Sequence, residues 1–200
     1  MKCRFFLLPL LGLFPTFVTA AEVSLLYGSQ GGGNLEHVDT DATLKMAEEP
    51  VRALILGTPL NDYQELELLY SRQKTRLRDS SAVADESLSS LDVHYLHLGG
   101  TVLSEPVADW QGFISGGLGF THFSPLPSGV DSETRASMSI GLGTRWMPTR
   151  RVGLRLEARW YGTLFNSSTS IFCSGGCEMR VSGDLLSQYS VMGGVVFRFD

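Results

Sequence analysis

The stretch that decides the fold is Gln188–Asp200, which reads QYSVMGGVVFRFD. Its residues alternate between two different faces, and a period of two is typical of a β-strand. Apart from Met192 and Val196, one face is small or polar. The alternating part from Tyr189 to Phe199 is 11 residues long, which suits a tilted strand crossing a bilayer; strands of soluble sheets average about five or six. The other, apolar face carries Tyr189, Val191, Gly193, Val195, Phe197 and Phe199.

The N-terminus has the pattern of a secretory signal peptide. Lys2 and Arg4 precede an apolar run from Phe5 to Val18, which is shorter than the roughly 18 residues that a spanning helix requires. Small residues follow this run, so we expect cleavage after Ala20. The sequence therefore predicts a signal peptide at 1–20 and one mature domain at 21–200.

Charge and hydropathy limit the classes of function that remain. Without Lys2 and Arg4, 14 basic residues stand against 21 acidic ones, a net charge of about −7 that argues against a nucleic-acid partner. After the predicted cleavage site, no apolar run is long enough for a transmembrane helix. Insertion into a membrane must therefore use strands.

Eight amphipathic stretches follow one another along the mature chain, and the connections between them alternate between long and short. This rhythm is typical of outer-membrane barrels, which have short periplasmic turns and long external loops. We therefore predict an all-β, eight-stranded, antiparallel up-and-down transmembrane barrel. The predicted strands are Glu22–Ser29, Val51–Gly57, Tyr63–Gln73, Leu91–Val102, Trp110–Phe123, Thr134–Trp146, Val152–Phe165 and Gln188–Asp200. The predicted long loops are Gln30–Ala42, Lys74–Ser90, Ser124–Glu133 and Asn166–Ser187.

Aromatic residues fit this threading as two girdles at the membrane surfaces. The periplasmic girdle would hold Tyr63, Trp110, Trp146, Phe197 and Phe199, and the external girdle Tyr27, Tyr70, Phe120, Phe165 and Tyr189.

A secreted soluble barrel or sandwich is the alternative fold, because it too has one apolar face. The two differ in which face points outward. In Val152–Phe165 the apolar set includes Leu154 and Trp160, and Arg155, Glu157 and Arg159 lie on the other face. The position of this apolar set in a structure decides between the two folds. The loop rhythm and the girdles favour the membrane barrel.

Three internal segments and the final strand carry a family resemblance. The segments are Gln64–Ser71, Gly116–Gly119 and Leu154–Arg159. With them, the mature chain resembles the small outer-membrane barrels of Gram-negative bacteria, the OmpA-like and opacity-protein group. The resemblance implies location in the outer membrane and a terminal strand, with Tyr189, Phe197 and Phe199, that the barrel-assembly machinery recognises. In that group the strand usually ends in Phe; here Asp200 follows Phe199.

Charged residues on the non-apolar face would lie inside the barrel. An eight-stranded barrel has room for little beyond side chains, and buried charges must pair. We expect a structural ion-pair plug; the alternative is a narrow, porin-like ion path. The predicted lumen charge network is Glu65, Glu67, Arg145, Arg155, Glu157, Arg159 and Arg198.

Cys173 and Cys177 lie four positions apart in one predicted loop. In the oxidising cell envelope, two such cysteines are expected to form a disulfide. Two thiols without a nearby histidine are too few ligands for zinc, and we predict neither a metal site nor a cofactor.

A hydrolase is the second functional alternative. His122 and Ser124 share one strand face at the external rim, as in lipid A deacylases, which the pair resembles. Glu133 could supply the carboxylate that orients the histidine.

The function that we expect is not enzymatic. It is a structural or surface-interaction role, because binding usually resides in loops held by a rigid scaffold. The expected partners are outer-membrane lipid and lipopolysaccharide, the barrel-assembly machinery, periplasmic chaperones and an extracellular ligand bound by the loops.

Overall fold

The computed structural model describes residues 21–37, 43–79, 87–126, 132–165, 179–181 and 185–199. The predicted signal peptide at 1–20 and the predicted disulfide between Cys173 and Cys177 lie outside the described residues. Within those residues, no helix is long and apolar enough to cross a membrane.

All of the regular structure that is described is β-strand. The strands are β1 (Ala21–Gly32), β2 (Asn34–His37), β3 (Thr43–Met46), β4 (Glu49–Asn61), β5 (Gln64–Asp79), β6 (Ser87–Leu103), β7 (Trp110–Leu126), β8 (Glu133–Trp146), β9 (Val152–Leu164), β10 (Met179–Val181) and β11 (Leu185–Phe199).

Eight of these strands close into a barrel. Each barrel strand pairs antiparallel with the next barrel strand along the chain, in the order β1, β4, β5, β6, β7, β8, β9 and β11. The first and last barrel strands complete the ring, with Ala21 opposite Phe199 and Gly32 opposite Gln188. Because every barrel strand has two partners, the barrel ring itself has no open edge among the described residues. The predicted fold class is confirmed.

The barrel strands are longer than predicted at one end, which we call the long-loop end; the opposite end is the short-turn end. All four predicted long loops are partly strand. Lys74 to Asp79 continues β5, and Ser87 to Ser90 continues β6, with Lys74 opposite Asp92. Likewise, Leu185 to Ser187 of the last predicted loop belongs to β11.

The first predicted loop, Gln30–Ala42, also contains strand. β2 pairs with β3 and with β10, and β3 pairs with the end of β5. These three short strands extend the sheet beyond the barrel at the long-loop end. Gly32 and Gly33 have φ of +89° and +90° where β1 gives way to β2. Only glycine adopts this backbone without strain, which explains the glycine run there.

Candidate functional site

The two faces of β9 show which side chains point into the lumen and which point outward. Arg155 and Glu157 are 3% and 0% exposed and point into the lumen. Leu154 and Leu156 are 50% and 55% exposed on the outside. A soluble barrel has the reverse arrangement, because water would solvate the charges and the leucines would form the core.

Apolar side chains cover the outside of the barrel around its circumference. A continuous apolar surface of this extent does not occur on monomeric soluble proteins, and it matches the lipid-facing band of membrane barrels. Exposed members from six strands are Leu25, Leu56, Leu68, Leu98, Leu118 and Ile140.

Ion pairs fill the lumen near the short-turn end. The Arg145 guanidinium lies 3.1 Å from a Glu22 carboxylate oxygen and 2.8 Å from one of Glu65. Arg198 donates to Glu22 at 2.9 Å. Two acids and two bases form a neutral group here, which we call the lower cluster. Three of these four residues are in the predicted network, and Glu22 is an addition.

A second neutral group lies deeper in the lumen, and we call it the central cluster. Arg155 is 2.9 Å from Glu67 and 2.8 Å from Glu157. Arg159 contacts Glu157 on the other side and lies 3.6 Å from Glu67. Its four members are at most 4% exposed. Each charge therefore has an opposite partner, which buried ions require.

Gly141 makes room for the central cluster. A Cβ at this position would lie 2.6 Å from Ser115 Oγ and 2.7 Å from a Glu157 carboxylate oxygen. Gly141 and Ser139 of β8 are therefore small where the charged side chains of β9 occupy the space beside them.

Aromatic rings and a histidine form the next layer toward the long-loop end. The Tyr95 and Tyr161 rings stack with centroids 4.3 Å apart, and both side chains are nearly fully buried. His97 lies beside them, with ring nitrogens 2.9 Å from Ser139 Oγ and 2.8 Å from Ser137 Oγ. Sequence reasoning left the facing of this part of β6 open, because apolar residues occupy both faces.

Apolar residues close the lumen at the long-loop end. Leu91, Val93, Phe123 and Leu186 are at most 2% exposed there. Phe165 packs against Phe123 with ring centroids 5.8 Å apart. Its predicted place in the external girdle is therefore wrong. Phe165 has the inward parity of Arg159 and Tyr161 on the same chain segment, and it is 5% exposed.

Near the long-loop end, the outward side chains of several neighbouring strands change from apolar to polar between one outward position and the next. Cross-strand pairing places Leu54, Tyr70, Leu96, Phe120 and Ala136 in one row. The next outward row holds Arg52, Arg72, His94, His122 and Thr134. We call the line between these two rows the polar boundary. It marks where the apolar belt ends on this side of the barrel.

Known structures share this architecture at low sequence identity. Neisserial surface protein A aligns with 90% of this chain and 97% of its own, with 11% identity and a TM-score of 0.61. OprG from Pseudomonas aeruginosa aligns with 90% and 96%, with 10% identity and a TM-score of 0.58. The chain has the fold of the small outer-membrane β-barrels. The outer-membrane protein AlkL, solved in lipid bilayers, aligns with 100% and 97%, with 10% identity and a TM-score of 0.61.

Sequence comparison adds nothing to this likeness. No family model matches the chain, and no curated protein matches it. Identities of 10% to 11% establish a shared outer-membrane barrel fold and leave the function to be argued from the residues.

The residues predicted as an assembly signal lie on the lipid-facing side of β11. Tyr189, Phe197 and Phe199 are 61%, 36% and 56% exposed. They occupy alternate positions on the strand that closes the barrel against β1. Their outward direction leaves them accessible before closure, and their recognition by an assembly machinery stays a prediction.

The predicted hydrolase residues are only partly brought together. His122 and Ser124 share the outward face of β7, and His122 Nδ1 lies 2.8 Å from Thr134 Oγ1. Glu133 has the inward parity of β8 and bonds to Arg135, whose guanidinium lies over the Phe165 ring. Its carboxylate is therefore on the opposite face from His122 and does not orient it.

A carboxylate does lie near the outward histidines, on β6. Asp92 is 3.4 Å from His94 Nε2 and accepts a hydrogen bond of 3.0 Å from Arg72 Nε. Tyr70 Oη is 2.9 Å from His94 Nδ1. Asp92 lies beyond the polar boundary, outside the apolar belt. Partial burial raises the pKa of its carboxyl, but the hydrogen bond from Arg72 and the nearby positive charges outweigh burial and lower that pKa overall.

The lowered pKa has a consequence for the ion pair with Arg72. The pair stabilises the fold above the ordinary pKa of an aspartate, and this contribution is lost as the pH falls through the lowered value. It is therefore intact at neutral pH. Among the described residues, no group of three or more histidine, cysteine, aspartate or glutamate side chains is placed to hold a metal ion.

Proposed function

We propose that this protein is an outer-membrane barrel of a Gram-negative bacterium, with a closed lumen, that presents a strand-rich extension at the cell surface. The observation that carries the proposal is the direction of the side chains. Paired charges face inward and are buried, and leucines face outward and are exposed. Lipid is the solvent that suits such an exterior.

The filled lumen supports a scaffold role over a channel role. The two ion-pair clusters, the Tyr95–Tyr161 stack and the apolar layer follow one another from the short-turn end to the long-loop end. An ion moving through would have to displace paired charges and then pass tightly packed rings. The narrow-channel alternative has no comparable support among the described residues.

The long-loop end supports a surface-interaction role. β2, β3 and β10 extend the sheet past the polar boundary, and β5 and β6 continue beside them. A rigid barrel that holds such a projection gives a ligand a preformed surface, which lowers the entropy cost of binding. The partners proposed with this role are lipid and lipopolysaccharide around the belt, the assembly machinery and chaperones during export, and an extracellular ligand at the projection.

Epitope insertion in intact cells tests location and orientation together. One variant carries a short epitope between Asp79 and Ser87, at the long-loop end. The matched control carries the same epitope between Thr149 and Arg150, at the short-turn end. We expect antibody to label intact cells with the first variant only, and to label both variants after lysis. Labelling of both or of neither in intact cells, with folded protein present, contradicts the proposal.

Planar-bilayer recording tests the closed lumen. The purified mature protein should show no stable large conductance. The matched variant Y95A/Y161A removes the stacked rings of the aromatic layer, and any leak should increase in it. A stable large conductance of the unmodified protein would replace the scaffold role with a channel role.

A further inference from the structure

The outward face at the long-loop end carries a cationic groove that the proposed function does not use. The groove has a volume of about 640 Å³ and is lined by Arg52 of β4 and by Arg72, Lys74 and Arg76 of β5, with Glu49 at its edge. From this groove we infer a binding site for the phosphorylated headgroup of a membrane lipid. This inference rests on the proposed location in a membrane.

The basic residues of the groove are neighbours on one face of the sheet. Arg52 and Arg72 are direct cross-strand partners on the same face, and Lys74 and Arg76 follow on that face of β5. Like charges directly opposite each other destabilise a sheet. An anion bound between them removes that repulsion, so the arrangement favours a bound phosphate.

Internal carboxylates compensate the groove only in part. Asp92 pairs with Arg72, and Glu49 lies 3.9 Å from Arg76. Four cations against these two carboxylates leave a surplus of two positive charges. Within the described part of the chain, Arg52 and Lys74 form no ion pair. These two side chains are the ones free to bind an added anion.

The position of the groove identifies the anion as part of a lipid. Arg52 and Arg72 lie in the polar row, directly beyond the row that holds Leu54 and Tyr70. Tyr27, the other cross-strand partner of Arg52, is 58% exposed to the outside. A lipid whose chains cover this apolar floor would place its headgroup phosphate at the level of the guanidinium groups. Long basic side chains at a membrane surface reach toward headgroups in this way.

Among the described residues, the cationic groove occupies one sector of the rim. Elsewhere on the rim, β9, which lies across the barrel from β5, and its neighbour β11 carry Leu164 and Leu185 at their outward ends, and these side chains are 46% and 41% exposed. A general attraction to an anionic surface would need no such confinement. The concentration of positive charge on β4 and β5 therefore indicates one bound lipid at this position rather than a ring of lipids held around the whole barrel.

Native mass spectrometry from neutral detergent tests the site, with diphosphoryl lipid A as the probe. The test variant is R52Q/K74Q, which removes the two unpaired cations. The matched control is R150Q/R151Q, which removes the same charge from exposed positions at the short-turn end. Each basic side chain at an anionic surface contributes a factor of roughly five, so we expect about 30-fold weaker apparent binding in the test variant and less than about threefold in the control.

Two further probes separate the possible ligands. Phosphatidylcholine should bind more weakly than lipid A and respond equally to both double variants. Inorganic phosphate at the same concentration should not displace lipid A. Equal losses in the two double variants, equal binding of phosphatidylcholine, or displacement by inorganic phosphate would each overturn the inference. Circular dichroism of each variant in the same detergent confirms that the barrel has formed.

The outcome is distinguishable from failure of the proposed function. Binding is measured on the isolated barrel in detergent, and location is measured by the epitope insertions in cells. A barrel that prefers lipid A through Arg52 and Lys74 but is absent from the surface refutes the proposed function alone. A surface-labelled barrel without that preference refutes the lipid site alone.

Discussion

At the scale of single residues, Glu157 is the shared counter-ion of two arginines in the central cluster. Its carboxylate contacts both Arg155 and Arg159, and its side chain is 0% exposed. Loss of this one charge would leave two buried guanidinium groups with only Glu67 as a counter-ion. Removal of one partner from a buried ion pair is strongly destabilising, even where the pair itself adds little net stability.

We therefore expect Glu157→Gln to lower the free energy of unfolding by about 3 to 5 kcal/mol. Urea unfolding in lipid vesicles, followed by tryptophan fluorescence, measures the change. The exposed Glu105→Gln is the matched control, and it should stay within about 0.5 kcal/mol of the unmodified protein. The double variant E157Q/R159Q should recover part of the loss, because Glu67 and Arg155 remain as a neutral pair. A loss of less than about 1 kcal/mol for the single variant would contradict the described pairing.

Ala108 is a second residue with a local consequence. It has φ of +55° in the turn between Val107 and Trp110, whose backbone groups hydrogen-bond at 2.8 and 3.1 Å. This left-handed conformation costs a residue with a Cβ roughly 1 to 2 kcal/mol. We expect Ala108→Gly to raise the free energy of unfolding by about 1 kcal/mol.

The matched control for the turn is Ala158→Gly, on the lipid-facing side of β9. Glycine within a strand is destabilising, so the same substitution should there lower the free energy of unfolding by roughly 0.5 to 1 kcal/mol. The opposite signs are measured in the same urea titration. Equal signs would show that the backbone of the turn is not strained.

At the scale of strands, the polar boundary gives each outward position a depth. Ile140 of β8 lies opposite Gly116, midway between the girdles on β7, and it is 57% exposed. Ala136, on the same face of β8, lies opposite Phe120 in the last apolar row. The two positions share one strand and differ in their distance from the boundary.

Arginine substitution measures this depth. We expect Ile140→Arg to lower the free energy of unfolding by about 2 to 4 kcal/mol, and Ala136→Arg by no more than about 1 kcal/mol, because the cost of a charge falls toward the membrane surface. Urea unfolding of both variants in the same vesicles provides the comparison. Equal costs at the two positions would place the lipid surface elsewhere on β8.

The strands were predictable from the sequence where one face is apolar throughout, as in β9. Alternation of Leu154 and Leu156 with Arg155 and Glu157 predicts the strand and shows which residues share its charged face. Alternation does not give the direction of that face, because a soluble barrel has the same pattern. The aromatic girdles and the alternation of long and short loops favoured the membrane barrel over the soluble barrel.

The ends of the strands were not predictable in the same way. From Lys74 onward β5 is polar, so its sequence resembles a loop, and its partner across the sheet decides that it is strand. Glu22 was missed because it is the first residue of the first predicted strand, although its parity matches that of lumen-facing Ser24 and Leu26. His97 and Tyr95 were missed because β6 has apolar residues on both faces. The cationic groove spans two strands whose register the sequence does not show.

At the scale of the whole molecule, the exterior and interior have exchanged the roles that they have in water. The charged side chains of β9 are among the most buried in the protein, and leucines such as Leu118, at 69%, are among the most exposed. The hydrophobic effect in this fold acts on the belt, and lipid or detergent replaces a protein core as the apolar solvent.

The mature chain should therefore fold only where an apolar solvent is present. On dilution from urea into neutral detergent, we expect a strand-type circular dichroism spectrum and a monomer in the detergent complex. On dilution into buffer alone, we expect aggregation, because the apolar belt would be exposed to water. Analytical ultracentrifugation of the two samples measures the difference. A dispersed, folded monomer without detergent would refute the membrane assignment.

The seam between β1 and β11 constrains how the molecule is made. Ala21 and Phe199 are partners in the sheet, although almost the entire mature sequence separates them. The ring cannot shut until β11 has been synthesised and has reached the compartment that holds β1. Until then, a folding intermediate has two unpaired edge strands, and it needs protection from aggregation with other chains. Closure is thus tied to β11, the last of the described barrel strands in sequence order.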